Sequence, residues 1–121
     1  MNKKILIVDD SGTNNILLKN LLLKEGIISI VAYSTAEALD ILNKINFNII
    51  ILNITISEFG FVFLDKLKQS KRTKDIPIVF ITAKNKPELK QKVLNIDISD
   101  YIEKPINFNY IINLVKEFLF N

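Results

Sequence analysis

The sequence predicts an α/β protein built on a parallel sheet. Three observations carry the prediction. Short apolar runs alternate with amphipathic segments, three of the runs are continuously apolar, and most of the segments between them have helical length and spacing. Five strands are expected, at "ILIV" (5–8), "ISIVAY" (28–33), "NIIIL" (48–52), "PIVFIT" (77–82) and "DYI" (100–102). The unbroken apolar character of the first, third and fourth is that of strands covered on both faces.

Five helices fill the intervals. The first is expected from Asn14 to Glu25, with Leu17, Leu18, Leu21 and Leu22 at helical spacing and Gly26 as its stop. The second runs from Thr35 to Ile45, capped by Ser34 or Thr35, with Glu37 or Asp40 in its first turns. The third spans Phe61 to Ser70, and the fourth spans Pro87 to Leu94 with its proline near the first turn. The last runs from about Asn107 to the C-terminus. Strands and helices in strict alternation imply βαβ units with right-handed crossovers. No repeat, linker or low-complexity segment interrupts the pattern, and 121 residues suit one domain, 1–121.

Composition narrows the function. With 49% apolar residues and a mean hydropathy of +0.25 the chain can build a full core. Its longest apolar runs, such as "IVFI" (78–81), are far too short to span a bilayer. "MNKKILIVDD" has four apolar residues before two aspartates, which is not a secretory leader. A cytoplasmic protein without membrane contact is expected. Zero cysteines agrees with that and excludes disulfides and thiolate metal sites. Zero histidines removes the commonest general base and every Ser-His-Asp arrangement. The net charge of +3 is modest. The basic stretch "KLKQSKRTK" (66–74) has no interleaved aromatics, so it reads as a solvated helix end and loop, not a nucleic-acid surface.

In a parallel sheet all strands end on one rim, where sites of α/β proteins collect. The first strand ends in Asp9 and Asp10, the third in Asn53 with Thr55 beyond, the fourth in Thr82 and Ala83. The fifth is followed by Lys104 and Pro105. Two carboxylates, an amide, a hydroxyl and an ammonium thus converge from four distant segments. Aspartate at a strand end is often only a turn residue. Adjacent like charges, however, gain little unless a cation sits between them.

From end to end the chain resembles the receiver domain of bacterial response regulators, in "ILIVDDS" (5–11), "STAEAL" (34–39), the strand ending at Asn53, "IPIVFITA" (76–83) and "DYIEKP" (100–105). The resemblance implies a doubly wound (βα)5 flavodoxin-like fold of strand order 2-1-3-4-5, and partners that are histidine kinases, output proteins or an adjacent domain. In the family an aspartate at the end of strand three takes a phosphoryl group from a histidine kinase, and an acidic pair after strand one holds Mg²⁺. By resemblance, Asp9 and Asp10 are the metal pair, and Thr55 supplies a backbone carbonyl to the metal. Thr82, Ala83 and Lys104 are the phosphoryl-contact positions. Tyr101 is the aromatic that changes rotamer with activation, and Pro105 holds the peptide after the lysine.

One departure sits at the acceptor position itself, which is Asn53. A carboxylate oxygen is an anionic nucleophile; an amide oxygen is neutral, with its lone pair delocalised toward nitrogen. Phosphotransfer is expected to fail at the chemical step, and Mg²⁺ to bind more weakly than in an ordinary receiver. Lys104, lacking its carboxylate partner, is expected to pair with Asp9 or Asp10 and hold the rim without metal. Nearby, Ser57 stands where the family usually has Pro, Phe59 directly precedes Gly60, and Asp97 and Ile98 replace a usual Gly and Ala. Thr55 or Ser57 as substitute acceptor lacks a neighbouring base, and deamidation of Asn53 is hindered by the β-branched Ile54.

The last helix is more apolar than packing on a sheet requires. Phe108, Ile112, Val115 and Leu119 are expected to face the sheet, and Ile111 to lie between them and a second row, Tyr110, Leu114 and Phe118. By resemblance, the surface of helix four, strand five and helix five is the usual partner or dimer face, so the second row is a candidate docking surface for a second copy or a neighbouring domain. The leading functional reading is a non-phosphorylatable receiver, without enzymatic activity, that regulates by protein contact. The alternative is a phosphotransfer-competent regulator using an atypical acceptor with Mg²⁺. A flavodoxin-like electron carrier is a third option, and the acidic loop "DDSGTNN" (9–15) speaks against a flavin phosphate there.

Overall fold

A computed structural model describes residues 3–9, 15–53, 58–82, 100–103 and 107–120. Five parallel strands, β1 (Lys3–Asp9), β2 (Ile27–Ala32), β3 (Ile49–Asn53), β4 (Ile78–Thr82) and β5 (Asp100–Glu103), form one sheet in the order β2-β1-β3-β4-β5. The expected fold and strand order are therefore present. The three continuously apolar runs are the three interior strands, and Ile5–Val8, Ile49–Leu52 and Ile78–Ile81 are all buried. Edge strand β2 is only partly covered at Ile28, Ile30 and Val31.

Because successive side chains of a strand point to opposite faces, each strand feeds two cores. On one face Leu6, Val8, Leu52 and Phe80 meet α2 (Thr35–Leu42) and α3 (Glu58–Gln69) through Ala38, Leu42, Phe63, Leu64 and Leu67. On the other, Ile7, Ile51, Val79 and Ile81 meet α1 (Asn15–Lys24) and a C-terminal helix (Phe108–Phe120) through Leu18, Leu22, Ile111, Ile112 and Val115. Helices on both faces make the sheet doubly wound. The helix expected over Pro87–Leu94 lies outside the described residues.

Helix ends follow local chemistry where local chemistry suffices. α1 stops at Gly26, whose φ of 77° lies in the left-handed region that glycine adopts without a Cβ penalty. Ser34, not Thr35, caps α2, its Oγ accepting from the Glu37 backbone N–H at 3.0 Å. Asn107 caps the C-terminal helix, its Oδ1 accepting from the Tyr110 N–H at 3.1 Å.

Four expectations are corrected. α2 ends at Leu42, not Ile45, with Asn43 as its C-cap, and Arg72 Nε, from another part of the chain, donates to the open Leu42 carbonyl at 2.6 Å. α3 starts at Glu58, not Phe61, so Gly60 lies in its first turn and does not precede the helix. The cost of an early glycine, about 1 kcal/mol, is outweighed by burial of Phe63, Leu64 and Leu67 further along. In α1, Leu17 is 50% exposed and the buried contacts are Leu18 and Leu22, with Leu21 partly covered. In the C-terminal helix, Ile111 is fully buried in the core and does not lie between two rows.

The basic stretch 66–74, which starts in the last turn of α3, is tied down beyond the helix. Arg72 is engaged with Leu42, and Thr73, buried, donates its hydroxyl to the Leu67 carbonyl at 2.7 Å. Lys66, Lys71 and Lys74 are exposed. Among the described residues, no helix is long and apolar enough to cross a membrane.

Candidate functional site

The strand register builds the site. Asp9 ends β1, Asn53 ends β3, and the two are register partners across neighbouring parallel strands. Thr82 ends β4 one strand further on, where Asn53 pairs with Ile81. Tyr101 lies in β5 opposite Phe80. For Thr82 and Tyr101 the structure gives the backbone position only. Asp10, Thr55, Ala83, Lys104 and Pro105 lie outside the described residues, and with them the expected pairing of Lys104 with the acidic pair.

Asp9 and Asn53 meet in the protein interior. Asp9 is 0% exposed and Asn53 6%. A buried carboxylate must find donors, since an ionised group stripped of water and left unpaired costs far more than a neutral one. Asn53 supplies one: its Nδ2 donates to Asp9 Oδ2 at 3.2 Å. The contact is charge-assisted, which makes it stronger than a neutral hydrogen bond. The residue pattern did not disclose this contact, and the expected pairing of Lys104 with the acidic pair is a separate matter outside the described residues. The available signal was the register: two equally placed strand-end residues, one anionic and one with N–H donors.

The other half of the amide is unsatisfied. Asn53 Oδ1 is buried and accepts no hydrogen bond. Buried acceptors left without a partner cost about 1–3 kcal/mol, and a bound ion is one of the few things that offsets that cost. The rim therefore presents a buried carboxylate and, on Asn53, a carboxamide oxygen that no protein group among the described residues engages, both hard oxygen donors of the kind Mg²⁺ takes. These residues fit a hard divalent cation, with one anionic and one neutral oxygen where two carboxylates would bind more strongly. A neutral amide also means that this position offers a cation, or a phosphoryl group, no negative charge.

The second candidate surface lies on the C-terminal helix. Tyr110 is 50% exposed and Phe118 38%. Leu114, expected with them in one exposed row, is half-buried and packs against the core that holds Ile111 and Val115. The exposed pair is thus Tyr110 and Phe118.

Comparison with known proteins shows the family. The family described as response regulator receiver domain matches residues 5–116. Over 116 residues the chain is 30% identical to the transcriptional regulatory protein CpxR of Escherichia coli K12, taking in 96% of this chain and 49% of CpxR. The chain thus spans roughly half of that relative. A two-component response regulator from Clostridium difficile has a similar structure, with a TM-score of 0.84 and 30% identity, covering 97% of this chain and 95% of that one. The chemotaxis response regulator CheY4 of Vibrio cholerae gives a TM-score of 0.84 at 25% identity, covering 98% of this chain and all of that one.

Proposed function

The chain belongs to the response regulator receiver family of two-component signalling, and from that premise we propose that it is a receiver that takes no phosphoryl group and regulates by protein contact alone. The observation that carries the reading is the identity and setting of residue 53. At the end of β3, facing the carboxylate that closes β1, stands a buried amide. In a receiver that position needs an anionic oxygen to attack phosphorus. An amide oxygen has no negative charge to donate and forms no stable acyl phosphate.

The remaining residues keep the roles their positions suggest. Asp9 and Asp10, with the Thr55 carbonyl, would hold Mg²⁺; Thr82, Ala83 and Lys104 are the phosphoryl-contact equivalents; Tyr101 and Pro105 belong to the switch. In receivers that phosphorylate, the bound metal neutralises the charge of the transferring phosphoryl group. Here one ligand has lost its charge, so Mg²⁺ binds more weakly. The whole span 1–121 is one receiver domain, cytoplasmic and without catalytic activity of its own, and its partners are a histidine kinase, an output protein or an adjacent domain.

Incubation with acetyl phosphate and Mg²⁺, followed by intact-mass measurement, tests this. No adduct is expected. A gain of about 80 Da, one phosphoryl group, on the peptide containing residues 49–60 would establish the competing reading, a phosphotransfer-competent regulator with an unusual acceptor.

For the contact surface, Tyr110 and Phe118 are the exposed apolar residues that fit a second copy of the chain or a neighbouring domain. Leu114 belongs to the same flank but supports the core, so it is a poor probe. Light scattering of the Tyr110→Glu, Phe118→Glu double variant is expected to give a lower mass than the wild type at high concentration. Equal masses would remove the homodimer and leave the heterologous partner.

A further inference from the structure

We propose that the Asn53 carboxamide is a two-position rotor that reads divalent-cation occupancy of the rim: its nitrogen faces Asp9 when no cation is bound, and its oxygen turns to that side as a metal ligand when one is. Three observations lead there. Asn53 Nδ2 donates to Asp9 Oδ2 at 3.2 Å. Asn53 Oδ1, on the opposite side of the same planar group, is buried with no hydrogen-bond partner. Both residues are at least nine-tenths buried, at 0% and 6% exposure, so bulk water does not level the two orientations.

The present orientation follows from charge alone. With the amide reversed and no cation, two acceptor oxygens would face each other at about the present separation, one of them anionic, and the donor bond would be lost. A divalent cation inverts that preference. Two oxygens on adjacent positions of an Mg²⁺ octahedron, each about 2.1 Å from the metal, stand about 3 Å apart. The 3.2 Å between Asn53 Nδ2 and Asp9 Oδ2 is close to that edge. Rotation about the Cβ–Cγ bond exchanges O for N with little movement of other atoms, since this torsion is broad and roughly two-fold. The atom that now has no partner would thereby gain one, and no backbone shift is needed.

An aspartate at this position could not behave so. Its two oxygens are equivalent, so it would repel Asp9 in either orientation until a cation arrived. The amide instead gives the rim a cation-free state in which its nitrogen is bonded to Asp9 and a distinct cation-bound one in which its oxygen is engaged. The inference rests on the receiver reading of this rim but not on the failure of phosphotransfer.

The experiment is an Mg²⁺ titration of ¹⁵N-labelled full chain, following the Asn53 side-chain NH₂ pair and the Asp9 backbone amide together. The expected result is a saturable shift of both at one common affinity, the NH₂ protons moving upfield as the bond to the carboxylate is lost. Asn53→Leu, which keeps the shape without a ligand atom, is expected to weaken Mg²⁺ by at least about tenfold, the scale for loss of a group that tunes a metal site. Titration of Asp9 with an unmoved Asn53 NH₂ pair would overturn the proposal, as would undiminished affinity in a folded Asn53→Leu variant or the absence of any saturable shift in the wild type. The wild-type titration decides the matter even if the variant fails to fold. A mass adduct from acetyl phosphate would sink the non-phosphorylatable reading while leaving the amide result intact.

Discussion

Asn53→Asp is expected to convert the rim from a metal-tolerant site into a metal-dependent one. The change removes the N–H that Asp9 Oδ2 accepts and puts a second anion in its place, beside a carboxylate that is 0% exposed. Losing a hydrogen bond to a charged group costs about 1.5–3 kcal/mol, and a like charge in its place adds repulsion to that. That is a large share of the 5–15 kcal/mol that separates typical folded and unfolded states. In the presence of a chelator the variant should unfold at clearly lower urea concentration than the wild type, with an unchanged denaturant slope. Millimolar Mg²⁺ should recover most of the loss, because ligands that bind only the folded state stabilise it by mass action. The same variant should gain an adduct of about 80 Da with acetyl phosphate, since it now carries an anionic nucleophile. Equal urea midpoints with and without metal would mean that the amide does not stand in for a counter-charge.

A second large effect is expected in the core below the rim. Phe80 lies in β4 between Leu52 of β3 and Tyr101 of β5, and it is 1% exposed. It shares a core with Phe63, Leu64 and Leu6. Phe80→Ala deletes most of that side chain and leaves a cavity that close-packed neighbours fill only in part. The expected loss is about 3–5 kcal/mol, and a fall in melting temperature on the order of 15 °C. Phe118, 38% exposed on the C-terminal helix, provides the contrast. Its replacement by alanine should cost less than about 1 kcal/mol in the isolated chain. Calorimetry of the two variants measures both, and comparable losses would place Phe118 in the core and not on a contact surface.

Much of the architecture is legible in the residues because it depends on neighbours in sequence. Unbroken apolar runs at 5–8 and 49–52, too short for buried helices and rich in β-branched residues, fit strands covered on both sides, and they are buried. Gly26 stops α1 because only a residue without Cβ adopts its φ of 77° freely, and Ser34 caps α2 because its hydroxyl reaches the N–H three residues on. The placement of Asp9, Asn53 and Thr82 on one rim follows from parallel strands alone.

Other features depend on which distant group arrives, and no local pattern encodes that. The carbonyl of Leu42 at the end of α2 is satisfied by Arg72, 30 residues away. Ile111 is buried while Leu17 is half exposed, although both sit in apolar helices, because the side of a helix facing the sheet is set by how the helix is docked on it. Asn53 donates to Asp9 across 44 residues of chain, a contact made by strand register, and the same register strands its oxygen without a partner. Residue type told that position 53 lacks a charge. Only the packed sheet told that its amide replaces that charge with a hydrogen bond, because a donor is chosen by proximity in the fold.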